Sequence, residues 1–144
     1  MRLLTALGHV GLLASFSLAA GCGDSTGPGA PLAGTYHATT LRFEGVGEVI
    51  DLLAGGATIT LELKDDESTT GTMRIPAVLT EDGTDFEASL AGTFHYDAQA
   101  QTVVFTQSGD TFIRDATWTV DGPQLRTEWP GGGSPGLTAV LTRD

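Results

Sequence analysis

Phe86-Glu87-Ala88-Ser89-Leu90-Ala91-Gly92-Thr93-Phe94-His95-Tyr96 sets the fold class of this chain. Apolar or small residues hold the even positions, while Glu87, Ser89, Ala91, Thr93 and His95 hold the odd ones. A period of two places successive side chains on opposite faces, so this is a strand with one buried and one wet face.

The same alternation recurs along the chain. Ala57, Ile59, Leu61 and Leu63 oppose Thr58, Thr60, Glu62 and Lys64. Phe112, Ala116, Trp118 and Val120 share a face opposite Ile113, Asp115, Thr117 and Thr119. Leu125, Thr127 and Trp129 oppose Gln124, Arg126 and Glu128, and Leu137, Ala139 and Leu141 oppose Thr138, Val140 and Thr142. Turn residues separate these runs: Lys64 to Ser68, Glu81 to Thr84, Asp97 to Gln101, Ser108 to Asp110 and Asp121-Gly122. The pattern predicts eight strands, near 34–43, 57–64, 69–75, 85–96, 102–107, 111–120, 123–129 and 136–143. At most one short helix is expected, around 47–54, where Val46, Val49, Ile50 and Leu53 recur at helical spacing before Gly55-Gly56. Short connections favour an antiparallel meander, and eight strands can close into an all-β barrel that has no free edge.

The first 31 residues are of another kind. Met1-Arg2 and the apolar run from Leu3 to Ala19 end in Leu18-Ala19-Ala20-Gly21-Cys22, which contains the only cysteine. A charged start, an apolar stretch and small residues before the cut are the marks of an export signal. Gly23 to Pro31 is a Gly/Ser/Pro-rich spacer. The expected organisation is a signal peptide at 1–21, a flexible tether at 22–31 and one barrel domain at 32–144. Removing 21 of the 144 residues leaves 123, and the loss of Arg2 takes the net charge from −11 to −12. With seven Lys/Arg against eighteen Asp/Glu, the chain lacks the basic stripe of a nucleic-acid binder and any attraction to anionic headgroups.

Two resemblances follow from these residues. Leu18 to Cys22 resembles the lipobox of bacterial lipoproteins, although Ala19 stands where that family usually has Leu. The resemblance implies lipidation of Cys22, a membrane contact through its acyl anchor and residence in the cell envelope. Gly23 in place of the Asp that often retains such proteins at the inner membrane points to the outer one. Gly34 and Tyr36 near the start of an eight-stranded meander resemble the Gly-x-Trp opening of lipocalin and calycin barrels. Arg143 is the nearest match to the arginine that those barrels lay across the aromatic ring. Tyr replaces Trp here, and no second lipocalin motif is evident. The resemblance implies a closed barrel that holds a small hydrophobic ligand.

Candidate ligand-binding residues are Tyr36, Arg42, Phe94, Tyr96, Phe112, Arg114 and Trp118. In a strict alternation Arg114 shares a face with Phe112 and Trp118, and Arg42 with Tyr36 and Ala38. An inward arginine among aromatics suits a fatty-acid carboxylate; the plainer reading is that each arginine reaches water from a strand end.

Other motifs offer less. Gly132-Gly133-Ser134-Pro135-Gly136 matches Gly-x-Ser-x-Gly, but a nucleophile elbow needs a following helix and a later histidine, and the last histidine is His95. No enzymatic activity is expected. His37 and His95 occupy equivalent places in the echo Leu32-Ala33-Gly34-Thr35-Tyr36-His37 and Leu90-Ala91-Gly92-Thr93-Phe94-His95, without the partners a metal site requires. The acidic turns lack the ligand spacing of a calcium loop, so neither metal nor cofactor is expected. The echo fits one local demand met twice, a glycine beside an inward aromatic at a strand bend.

The expected function is a membrane-anchored envelope lipoprotein whose barrel binds or carries a small hydrophobic ligand. The alternative is a structural lipoprotein with a fully packed barrel that contacts another envelope protein. Large inward aromatics favour packing, and small inward residues such as Ala57, Ala88 and Ala139 favour space.

Overall fold

A computed structural model describes residues 29–45, 47–129 and 136–144. Cys22, the signal peptide and Gly132–Pro135 lie outside the described residues. The strands are β1 (Gly34–Glu44), β2 (Val49–Asp51), β3 (Thr58–Leu63), β4 (Ser68–Ile75), β5 (Phe86–Ser89), β6 (Gly92–Asp97), β7 (Thr102–Gln107), β8 (Trp118–Asp121), β9 (Gln124–Trp129) and β10 (Gly136–Arg143). Neighbours in sequence are neighbours in space, all antiparallel, and β10 returns to pair with β1. The result is the expected closed eight-stranded meander barrel. Two of its staves are split: β2 and β3 both pair with β1, and β5 and β6 both pair with β4.

The split of the Phe86–Tyr96 run has a local cause. Register against β4 is unbroken, from Ile75↔Phe86 through Thr72↔Ser89 to Thr69↔Gly92. At its centre the Leu90 N–H still donates to Gly71 O at 3.0 Å. The Leu90 carbonyl, however, leaves the ladder and accepts from Thr69 Oγ1 at 2.6 Å and Gln107 Nε2 at 3.0 Å, both buried. Gly71 takes φ +139°, and a Cβ there would overlap the Thr60 and Leu61 backbone. Gly71→Ala is therefore expected to cost more than about 3 kcal/mol, from a forbidden φ added to a backbone collision. Urea unfolding followed by tryptophan fluorescence measures it; a variant as stable as the parent would remove Gly71 as the pivot of the bend.

Two elements depart from the sequence expectation. The helix expected around 47–54 is absent. Val49–Asp51 is strand β2, with Phe43↔Ile50 paired, and Asp51 Oδ1 then accepts from the N–H groups of Leu53 and Ala54, both at 3.1 Å, which turns the chain. Pairing with β1 and an aspartate turn satisfy this backbone better than a single helical turn, whose nucleation is unfavourable. The short helix is instead α1 (Phe112–Asp115), inside the run expected as strand 111–120. Thr111 caps it, its side chain accepting from Arg114 N. Four residues are too few to show a helical period.

The core is dry. Tyr36, Leu41, Leu61, Leu63, Leu90, Val103, Ile113, Trp118, Leu125 and Leu141 have at most 1% of their surface exposed. A side chain lining a void large enough for water would show accessible surface, so the middle of the barrel is filled by its own side chains. The aromatic cluster runs from Phe94 to Phe105 (6.5 Å between centroids), to Trp118 (6.3 Å, edge to face) and to Phe112 (6.1 Å).

Candidate functional site

The two ends of the barrel differ in kind, and sequence neighbours build each of them. At one end the chain enters through Gly29, whose N–H donates to Asp65 O at 3.0 Å, and winds through the 3-10 turn Ala30–Leu32 into β1. Leu32 is buried, and its carbonyl accepts from Tyr36 Oη at 2.8 Å. Arg143, near the end of β10, donates from Nη1 to Pro31 O at 3.2 Å and to Ala33 O at 3.4 Å. Its side chain lies across Gly34, where a Cβ would come within 2.7 Å of Arg143 Cδ. Burial pushes the Tyr36 phenol above its ordinary pKa, and the neighbouring Arg143 partly offsets this. Gly34, Tyr36 and Arg143, singled out from sequence, are thus one unit that seals this end. The segment from Gly29 to Leu32 belongs to the same seal.

The opposite end, among the described residues, carries clefts. The connection between β4 and β5 crosses it, through a second 3-10 turn at Ala77–Leu79. Leu79 leans inward onto Gly55, where a Cβ would sit 2.7 Å from its methyl groups. It separates two clefts. One, of about 400 Å³, lies between the free edge of β5 and the start of α1, with Met73, Phe86 and Phe112 on its walls. The other, of about 470 Å³, lies towards β1 and β2, with Phe43, Ile50, Leu52 and Leu137. Ile75, Leu79, Thr80 and Glu81 border both. Apolar side chains on the rim meet water: Phe43, Val49, Val78 and Phe86 are all exposed, Val78 to 81%.

Among the expected ligand-binding residues, Tyr36, Phe94 and Trp118 are buried in the packed interior and Tyr96 is half-buried. Tyr36 and Trp118 spend their polar atoms on Leu32 O and Ile113 O, the latter at 3.1 Å. Phe112 alone reaches a cleft. The two arginines do not face inward. Arg42 is exposed, because a β-bulge between Ala38 and Thr40 advances the alternation of β1 by one residue. Beyond the bulge Leu41 points in and Arg42 out, the face reversal a one-residue shift imposes.

Arg114 is turned away by α1. Its guanidinium donates to Asp110 Oδ1 and Asp115 Oδ1, both at 2.6 Å, and to Gly109 O at 3.2 Å. These bonds raise the guanidinium pKa above its already high value, Asp115 contributing most, and hold the Asp115 carboxyl below the usual range. The same one-turn helix buries Ile113, which strict alternation had placed outside.

His37 and His95 are exposed on the outer wall. His37 Nε2 lies 3.1 Å from Asp144 Oδ2, and His95 Nδ1 4.0 Å from Glu67 Oε1. Among the described residues no three His, Cys, Asp or Glu side chains gather as metal ligands. Gly136, the last residue of Gly-x-Ser-x-Gly, opens β10, so a strand follows that motif.

Sequence reasoning missed the cleft-forming residues Ile75, Leu79, Thr80 and Glu81. Their only signal was a turn-rich stretch, Thr80 to Thr84, with apolar residues just before it. No protein family, curated protein or solved structure matches the chain.

Proposed function

We propose that the chain is a bacterial lipoprotein, lipidated at Cys22 and held in the outer membrane, that carries a small hydrophobic ligand at the mouth of a lipocalin-like barrel. The observation that carries this reading is the pair of apolar clefts on either side of Leu79, above an interior closed to water. Their volumes fall at the lower end of the ~300–1,000 Å³ common for small-molecule sites. The ligand sits at the mouth and not in the centre, because Phe94, Phe105 and Trp118 already occupy the centre. Gly34, Tyr36 and Arg143 support the lipocalin-like reading.

Gly29, where the described chain begins, lies at the end opposite the mouth. Seven residues, 22–28, precede Gly29 at the sealed end, and they reach at most about 25 Å. A protein tethered there presents its clefts away from its attachment point.

The test is a fluorescence titration with N-phenylnaphthylamine, a neutral apolar probe that brightens in dry sites. It uses the chain starting at Gly23, which keeps every described strand. Saturable binding is expected, weakened at least about tenfold by Leu79→Glu, which replaces the apolar ridge common to both clefts with a charge. Undiminished binding in that variant would move the site elsewhere. No saturable binding at all would favour the second reading, a structural lipoprotein that docks another envelope protein. The exposed rim of Phe43, Val49, Val78 and Phe86 supports that alternative.

A further inference from the structure

We infer that the ligand at the mouth is a cationic amphiphile, an apolar chain with an ammonium head that rests against Glu81. The inference depends on the mouth being a ligand site, as proposed above, and adds the charge of what it takes.

The clefts supply the apolar part of the argument, and the composition of their walls supplies the sign. Glu81, Asp82, Asp85 and Asp110 line the cleft beside β5, and neither cleft has a Lys, Arg or His among its lining residues. Two of the carboxylates lining the cleft beside β5 already hold a cation. Arg74 pairs with Asp85 at 2.5 Å, and Arg114 pairs with Asp110 and Asp115. Asp82 is turned onto Thr84, accepting from its N–H at 3.1 Å and its hydroxyl at 2.8 Å. Glu81 is different: it has no hydrogen-bond or ion-pair partner among the described residues, and it borders both clefts.

An anionic head placed in either cleft would enter this field with no cation among the lining residues to receive it. A hydroxyl head would find Thr80, Thr84 and Thr111 among the lining residues of the cleft beside β5, but would gain nothing from the charge. An ammonium head meets a free carboxylate at the point where its chain can lie against Leu79 and Ile75. A single exposed ion pair changes affinity by a factor of about 1.4 to 5. Attraction of the amine together with repulsion of a carboxylate should therefore separate the two by about tenfold.

The experiment compares dodecylamine, dodecanol and dodecanoate as competitors of N-phenylnaphthylamine on the chain starting at Gly23, below the concentrations at which they self-associate. Dodecylamine is expected to displace the probe about tenfold more tightly than dodecanoate. Its advantage should shrink in high salt, as exposed charge interactions do. Glu81→Gln is expected to lower dodecylamine affinity several-fold and leave dodecanol unchanged. Asp66→Asn, at the sealed end, should change neither, which separates a local head site from general attraction to an acidic protein. Dodecanoate binding as tightly as the amine, or an amine affinity indifferent to Glu81→Gln, would overturn the charge assignment while the mouth site stood. If the probe itself shows no saturable binding, the mouth site fails and this inference falls with it.

Discussion

A chain exported by a non-lipidating signal and starting at Gly23 is expected to be recovered wholly in the soluble fraction, and the native protein is expected to sediment with membranes. Cys22→Ser in the native precursor is expected to abolish labelling by a fatty-acid analogue. The size of the effect follows from the chemistry of the anchor. Each buried methylene contributes about 0.8 kcal/mol, so one acyl chain holds marginally and two hold firmly. The charge balance is not expected to add to the attachment: without residues 1–21, eighteen Asp/Glu stand against six Lys/Arg, which repels anionic headgroups. Removal of the lipid should therefore release the protein completely. A chain starting at Gly23 that still pellets with membranes, or a labelled Cys22→Ser protein, would remove Cys22 as the anchor.

The second large effect lies in the core. Trp118→Ala is expected to cost about 3–5 kcal/mol, the range for removing a buried large aromatic. Trp118 is fully buried, stands edge-on to Phe105 at 6.3 Å and touches Phe112 at 6.1 Å. Its Nε1 also donates to the Ile113 carbonyl inside α1, at 3.1 Å. Truncation leaves both a cavity and an unpaired carbonyl, which a domain of marginal stability tolerates poorly. The melting temperature should fall by roughly 10–25 °C. Trp118→Phe separates the two contributions: it keeps most of the ring volume, loses the N–H, and should cost only about 1–2 kcal/mol. Equal losses in the two variants would mean that the hydrogen bond to Ile113, and not ring packing, dominates.

Much of the barrel was legible because a strand half-buried in a barrel wall has to alternate. Ile59, Leu61 and Leu63 point inward as the period of two requires, and so do Leu125, Ala139 and Leu141. Gly34, Tyr36 and Arg143 could be picked out by type, and they meet at the sealed end. Alternation failed where the backbone departed from it. The bulge near Thr39 reversed Arg42, and the single turn of α1 turned Arg114 outward and Ile113 inward. Neither device needs an unusual residue, so neither leaves a mark on periodicity.

The sequence by itself determined the all-β class, the eight-stave meander and the inward set of most strands, because hydrophobic period and turn residues are local properties. It also supplied the resemblance to a lipobox around Cys22 and the net acidity. Only the tertiary structure decided where space remains. Whether Tyr36, Phe94, Phe105 and Trp118 fill a barrel depends on how their rings interlock across strands far apart in the chain. That packing closes the centre, and Leu79, carried across the mouth by a connection with no periodic signal, stands between two clefts with Glu81 on the border of both.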